Sequence, residues 1–171
     1  QRQMCIRDSM YTAPKNVDLF VKHGIYTKEE IEARAEIHIE NYTTVITIEA
    51  NTMVDMIRHQ ILPAVSRYAS DLCSRAAGKA ACGVSCGYEK DTATQIGALT
   101  DALADACAKL EQAVAQVPGD AMDAMVYSHE TIIPDMAAAR EIADKLDTYG
   151  TERGLAVRIQ REDIFNAMHR I

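Results

Sequence analysis

The sequence predicts an all-α fold: a bundle of two to three long antiparallel helices, kinked at Pro63 and Pro134, with short terminal helices. Three observations point there. Hydrophobic residues make up 48% of the 171 positions, yet Trp is absent and Phe occurs only twice. Ala and Met dominate instead, and both favour helix, whereas the aromatic and β-branched runs of strands are scarce. Apolar residues recur at steps of three or four over long stretches, the period of an amphipathic helix. Only four Pro and eight Gly punctuate the chain, which suits long uninterrupted helices.

The elements follow in order. Residues 16–22 read as a short helix capped by Asn16, with Val17, Phe20 and Val21 as its apolar stripe and Gly24 as a left-handed stop. Thr27-Lys28-Glu29-Glu30 is a capping box, in which the Thr27 hydroxyl and the Glu30 carboxylate each accept from the other's backbone N–H. The helix it opens carries Ile31, Ala35, Ile39, Tyr42, Val45/Ile46, Met53, Met56/Ile57, Ala64 and Tyr68 on one stripe. Continuous from Lys28 to Ala77, it would run roughly 75 Å at about 1.5 Å per residue. Pro63 cannot donate to the carbonyl of His59, so a kink is expected there.

Residues 78–91 (GKAACGVSCGYEKD) read as a loop of small side chains, followed by a second capping box at Thr92-Ala93-Thr94-Gln95. Ile96, Leu99, Leu103, Ala106, Leu110, Ala113 and Val117 then form a coiled-coil-like seam that Pro118-Gly119 ends. Asp120 caps a last long helix whose stripe runs through Met122, Met125/Val126, His129, Ile133, Met136, Ala143 and Leu146. Pro134 should kink it and Gly150 should stop it. A short helix is expected within residues 151–171, around Ile159, Ile164, Phe165 and Met168. No repeat of fixed period is visible, which argues against a solenoid.

The net charge of −7 and the pI near 5.2 argue against a nucleic-acid partner, which demands a basic face. No run of about 20 apolar residues is present to span a membrane. The N-terminus has no apolar segment of a secretory signal. Five cysteines, at 5, 73, 82, 86 and 107, form an odd set without repeating spacing, which reads as free thiols in a reducing cytoplasm.

Chemistry-bearing constellations are few. Cys82 and Cys86, four apart in a Gly-rich stretch, could pair or supply half of a zinc site, but no second ligand pair accompanies them. Small loop residues are the plainer account. The five histidines (23, 38, 59, 129, 169) fall one per segment; His38 and His129 are expected on apolar stripes, as satisfied core or interface residues. Glu36, Glu40 and Glu49 beside His38 lack the Glu-x-x-His order of a di-metal bundle, so they read as a solvated acidic face. Met53, Met56, Met122, Met125, Met136 and Met168 sit at helical spacing and are expected in the core rather than on an adaptable binding surface. HExxH, GxGxxG and GxxxxGK[ST] are all missing. No catalytic, cofactor-binding or metal-binding residue is assigned.

The run Ile48-Glu49-Ala50-Asn51-Thr52-Met53-Val54-Asp55-Met56, followed by Ile61-Leu62-Pro63-Ala64 and Tyr68, resembles a stretch of the type III glutamine synthetases, in which I-E-A-x-T-M-x-D-M leads into I-x-P-A within one long helix. The lead-in from His23 to Arg34 and the stretch MAAAREIADKLD from Met136 to Asp147 are also similar to that family. The resemblance covers roughly Pro14 to Asp147. It implies a helical domain spanning residues 10–147 at the C-terminal end of an ATP-dependent ligase that joins ammonia to the γ-carboxylate of glutamate. It further implies cytoplasmic ring-shaped homo-oligomers, with ATP and Mg (or Mn) used by a β-rich catalytic core upstream. The metal-binding Glu and His of that core have no counterpart here. The partners implied are therefore that missing core and neighbouring subunits, and the fragment is expected to be inactive alone. Two ends depart from the family. Residues 1–9 (QRQMCIRDS) resemble translated sequencing-adaptor text and read as a non-native leader. Residues 148–171 lack the family's aromatic, Pro-containing tail, which a reading-frame slip near Thr148 would explain. The alternative reading is a stand-alone helical interaction or scaffold module.

Overall fold

A computed structural model describes residues 12–149; the expectations for residues 1–9 and for a short helix within 151–171 lie outside the described residues. Six α-helical segments follow one another: α1 (Pro14–Lys22), α2 (Lys28–Met56), α3 (Leu62–Ala81), α4 (Gly87–Ala115), α5 (Ala121–Tyr127) and α6 (Ile133–Thr148). A π-helical turn, Ile57–Ile61, joins α2 to α3 without a break, and a second, Ser128–Ile132, joins α5 to α6. The described residues thus form a short helix followed by three long helical rods. The all-α bundle expected from sequence is what forms, and no strand occurs among the described residues.

The helix boundaries show the local chemistry that sets them. Pro14 sits in the first turn of α1, where its missing N–H costs nothing, and Ala13 takes the cap position. The helix therefore starts two residues before the Asn16 cap expected from sequence. Its end matches expectation: Gly24 has φ +62°, the Gly24 N–H donates to Val21 O and the Ile25 N–H to Phe20 O, a Schellman closure. Thr27 and Glu30 form the capping box in full, at 3.2 Å and 2.8 Å. The carboxylate of Asp120 accepts from the Met122 and Asp123 N–H groups at 3.0 and 3.1 Å and starts α5.

The expected loop at 78–91 is corrected to a five-residue connection. α3 continues to Ala81 and α4 already begins at Gly87, so only residues 82–86 lie outside helix. Gly83, with φ +70°, repeats the Schellman closure of α1: its N–H donates to Ala80 O and that of Val84 to Lys79 O. Gly78 and Gly87 are absorbed into helices, and Lys79 on α3 is ion-paired with the buried Glu89 on α4 across the connection. Thr92 to Gln95 consequently lies inside α4 and caps nothing; Thr92 is buried. A tertiary ion pair and the neighbouring rod outweigh the local Gly and Thr signals here.

α4 is the common wall of the bundle, packed along α3 on one side and α6 on the other, with α2 closing the stack. Ile96, Leu103, Cys107, Leu110 and Ala113 of α4 are buried against Ile46, Ile57, Val65 and Leu72 of the first rod and Met125, Ile132, Met136 and Leu146 of the last. The seam expected on α4 forms, with Leu99 and Ala106 half-buried at its edge and Cys107 as an unforeseen core member. The stripe of the last rod is displaced at one point: Ile132, not Ile133, is fully buried, and Val126 is 45% exposed. A π-turn holds about one more residue than an α-turn, so it rotates every later side chain relative to a strict 3.6 period.

Candidate functional site

Pro63 and Pro134 each lie at the start of an α-helix just after a π-turn. Within the first turn the Leu62 N–H donates to Ile57 O, and within the second the Ile133 N–H donates to Ser128 O, five residues back. The widened turn relieves the clash a proline ring makes with the carbonyl four residues before it. The interruptions expected at the two prolines thus take the form of π-turns within continuous rods. π-turns often occur at functional sites, so the surroundings of both deserve inspection. The first is lined by Ile57 and Ile61 and is apolar. The second buries Ser128, whose Oγ has no hydrogen-bond partner among the described residues. Two turns on, Asp135 is buried with Oδ1 accepting from Lys109 Nζ of α4 at 2.6 Å, while Oδ2 has no such partner.

The residues weighed from sequence as chemistry-bearing are not brought together. Cys82 is the C-cap of α3 and Cys86 the N-cap of α4; both are free, as are the exposed Cys73 and the buried Cys107. The Cys107 thiol lies 4.0 Å from the Val54 carbonyl, a packing contact of a small hydrophobe. No group of three or more His, Cys, Asp or Glu is placed to hold a metal ion among the described residues. The donor set of the described residues does not fit the divalent metal that the resemblance implies for the whole protein.

His38 is exposed rather than on the apolar stripe, because Ile31, Ala35 and Ile39 follow an i, i+4 line that leaves position 38 facing solvent. His129 is half-buried in the second π-turn, and His59 is exposed, 3.4 Å from Asp55. Glu36 and Glu40 flank an open groove of about 580 Å³ between α2 and the α4–α5 turn, lined also by Ile48, Val117 and Pro118. Glu49 is not among its lining residues. Partial burial raises the Glu49 carboxyl above the usual carboxylate range. Glu89 is held below that range, first by the hydrogen bond from Lys79. Met53, Met125 and Met136 are in the core and Met56 is half-buried, as expected; Met122 is 53% exposed, and Met168 lies outside the described residues.

No helix among the described residues is long and apolar enough to cross a membrane. What the arrangement does chemically is bury apolar stripes. Most of its polar groups cap helices, pair across rods or face solvent, with Ser128 Oγ and Asp135 Oδ2 the buried exceptions among the described residues. Residues 5–80 match the family model described as "Glutamine synthetase C-terminal domain". Over 160 residues the chain is 30% identical to a glutamine synthetase from Butyrivibrio fibrisolvens, covering 91% of this chain and 23% of that relative. The chain is therefore similar to the C-terminal domain of the glutamine synthetases. It spans about a quarter of the length of the curated relative it matches. No solved structure matches.

Proposed function

We propose that this chain is the C-terminal helical part of a type III glutamine synthetase and serves attachment and assembly rather than chemistry. The whole protein would join ammonia to the γ-carboxylate of glutamate with ATP and a divalent metal, Mg or Mn, in the cytoplasm, as a homo-oligomeric ring. The partners of the present chain are then the catalytic core of its own polypeptide and neighbouring subunits, with neither nucleic acid nor membrane involved. The observation that carries this reading is the match itself: 91% of the chain aligns with only 23% of a glutamine synthetase. The residues around the two π-turns support it, because they bury side chains between rods instead of lining a cleft. The type III assignment rests on the I-E-A-x-T-M-x-D-M run at Ile48–Met56 and the mid-rod proline at Pro63.

The test is a glutamine-formation assay on the purified 171-residue chain with glutamate, ammonia, ATP and Mg or Mn. No turnover above background is expected. Sustained glutamine synthesis by the chain alone would defeat the proposal that its role is purely structural.

A further inference from the structure

We propose that the corner between α1 and α2 is the surface by which this domain docks on the preceding polypeptide of a glutamine synthetase, against an apolar patch. This rests on the functional reading above. α1 is amphipathic in sequence but has no buried residue. Val21 and Ile25, which wall one groove, are 48% and 54% exposed. Phe20 of α1 meets Tyr26 edge-on, ring centres 6.0 Å apart, and the Arg34 guanidinium of α2 lies 4.7 Å from the Tyr26 ring centre. Nine residues are too few for a helix to persist in water on propensity alone, so a face of this kind calls for a cover.

The corner also has the shape of a receptor. A groove of about 380 Å³ opens where α1 ends and α2 begins, with Val21, Ile25 and Tyr26 among its walls and the first turn of α2 beside them. Lys28, Glu29 and Glu30 also line it, so charges of both signs flank its apolar centre. An apolar centre with a polar rim of both charges fits a like-built apolar patch.

The choice of occupant follows from position. The matched domain is a C-terminal one and the relative is about four times longer than the matched stretch, so in such an enzyme the bulk of the polypeptide is joined through the residues before Pro14. α1 is the first described element after that junction. Covalent linkage makes this docking intramolecular and raises the effective concentration of the two surfaces, so even a small patch suffices. The exposed Ile37 and Ile48 of α2 have no such neighbour assigned by the connectivity.

The experiment is amide hydrogen exchange read by mass spectrometry on two proteins, the free 171-residue chain and a full-length chimera. In the chimera the chain replaces the matched C-terminal stretch of the Butyrivibrio fibrisolvens enzyme. α1 is expected to exchange at least about tenfold more slowly in the chimera than in the free chain, with α2 and α4 equally protected in both. The double substitution Val21→Glu with Ile25→Glu should abolish that difference and leave the unfolding midpoint of the free chain unchanged. An active chimera whose α1 exchanges as fast as in the free chain overturns the docking and spares the functional reading. An inactive chimera with α1 protected does the reverse. A free chain that sediments as a dimer, dissolved by the same double substitution, puts a second copy on this surface and overturns the choice of partner. The unmodified Butyrivibrio fibrisolvens enzyme gives the reading even if the chimera does not fold: rapid exchange in its stretch aligned with residues 14–25 also overturns the proposal.

Discussion

The first and last rods contain the same construction twice, displaced by 71 positions. The π-turns span Ile57–Ile61 and Ser128–Ile132, and the prolines that follow are Pro63 and Pro134. Burial repeats with them: Met53, Val54, Ile57, Ile61, Ala64, Val65 and Leu72 are buried, and so are Ala124, Met125, Ser128, Ile132, Asp135, Met136 and Ala143. Both copies pack against α4. They differ in chemistry at two of these positions, where Ile57 and Ala64 of the first copy give way to Ser128 and Asp135 of the second. The backbone does not demand polarity at either place, since the first copy folds the same way without it. What repeats is a packing register; what varies is how well each copy satisfies it.

That comparison can be broken most severely at its shared centre. Ile61→Ala and Ile132→Ala should each cost about 2–5 kcal/mol in urea-induced unfolding, because both side chains are essentially inaccessible. A loss at one site several-fold smaller than at the other would show that the two turns are not equivalent supports.

The next effect has the opposite sign. Ser128→Ala removes a fully buried hydroxyl with no described partner and should raise stability by about 1 kcal/mol, despite the small volume lost. Asp135→Ala, which copies Ala64, should change stability by less than about 1 kcal/mol, because it removes an unsatisfied buried oxygen together with the bond to Lys109. Lys109 is 72% exposed and stays solvated, so no buried charge is stranded. A large loss in either variant would mean that the polar groups hold the second copy in register.

A pH experiment sharpens the contrast between the rods and the connection that joins the first to α4. Glu89 titrates below its unfolded value near 4.5, chiefly through the hydrogen bond from Lys79. Its contribution is therefore present above that pH and is lost as the pH falls through the lower folded value. Glu89→Gln should flatten the fall in melting temperature below about pH 4.5, where carboxylates begin to take up protons. Glu49, raised by burial, acts the other way: its neutral form is favoured by folding, and that contribution fades as the pH rises through the raised value. An unchanged acid limb in Glu89→Gln would show that the Lys79 contact does not couple to folding.

The smallest effect is expected at the prolines. Pro63→Ala and Pro134→Ala should each shift stability by less than about 1 kcal/mol and leave both π-turns in place, since the buried residues on either side fix the register and removing proline acts mainly on the unfolded chain. Protection of the Leu62 and Ile133 amides in both variants checks this. Collapse to an ordinary α-turn would make the prolines, rather than the packing, the cause.

Much of the fold was legible in the residues because it is written in local chemistry. The Thr27–Glu30 box, the Asp120 cap and the Gly24 stop need only neighbours three to five positions away, and the stripes of α2 and α4 need only the helical period. The 71-residue repeat was invisible because a π-turn has no sequence signature and the two copies share little beyond Ile61-Leu62-Pro63 and Ile132-Ile133-Pro134. The 78–91 stretch was misread as a loop for a related reason. Its helical state depends on the Lys79–Glu89 pair and on α3 and α4 lying side by side, which no window of local sequence contains.

The sequence by itself determined the class, the caps at Thr27 and Asp120 and most of the buried set, together with a resemblance to the glutamine synthetases. The tertiary structure alone decided where the helical phase slips, which polar groups are enclosed and which apolar face of α1 is left uncovered. The physical reason is range. Caps and stripes are satisfied within a turn or two of helix, whereas a π-turn, a buried carboxylate or an open face is settled by what another rod places opposite it.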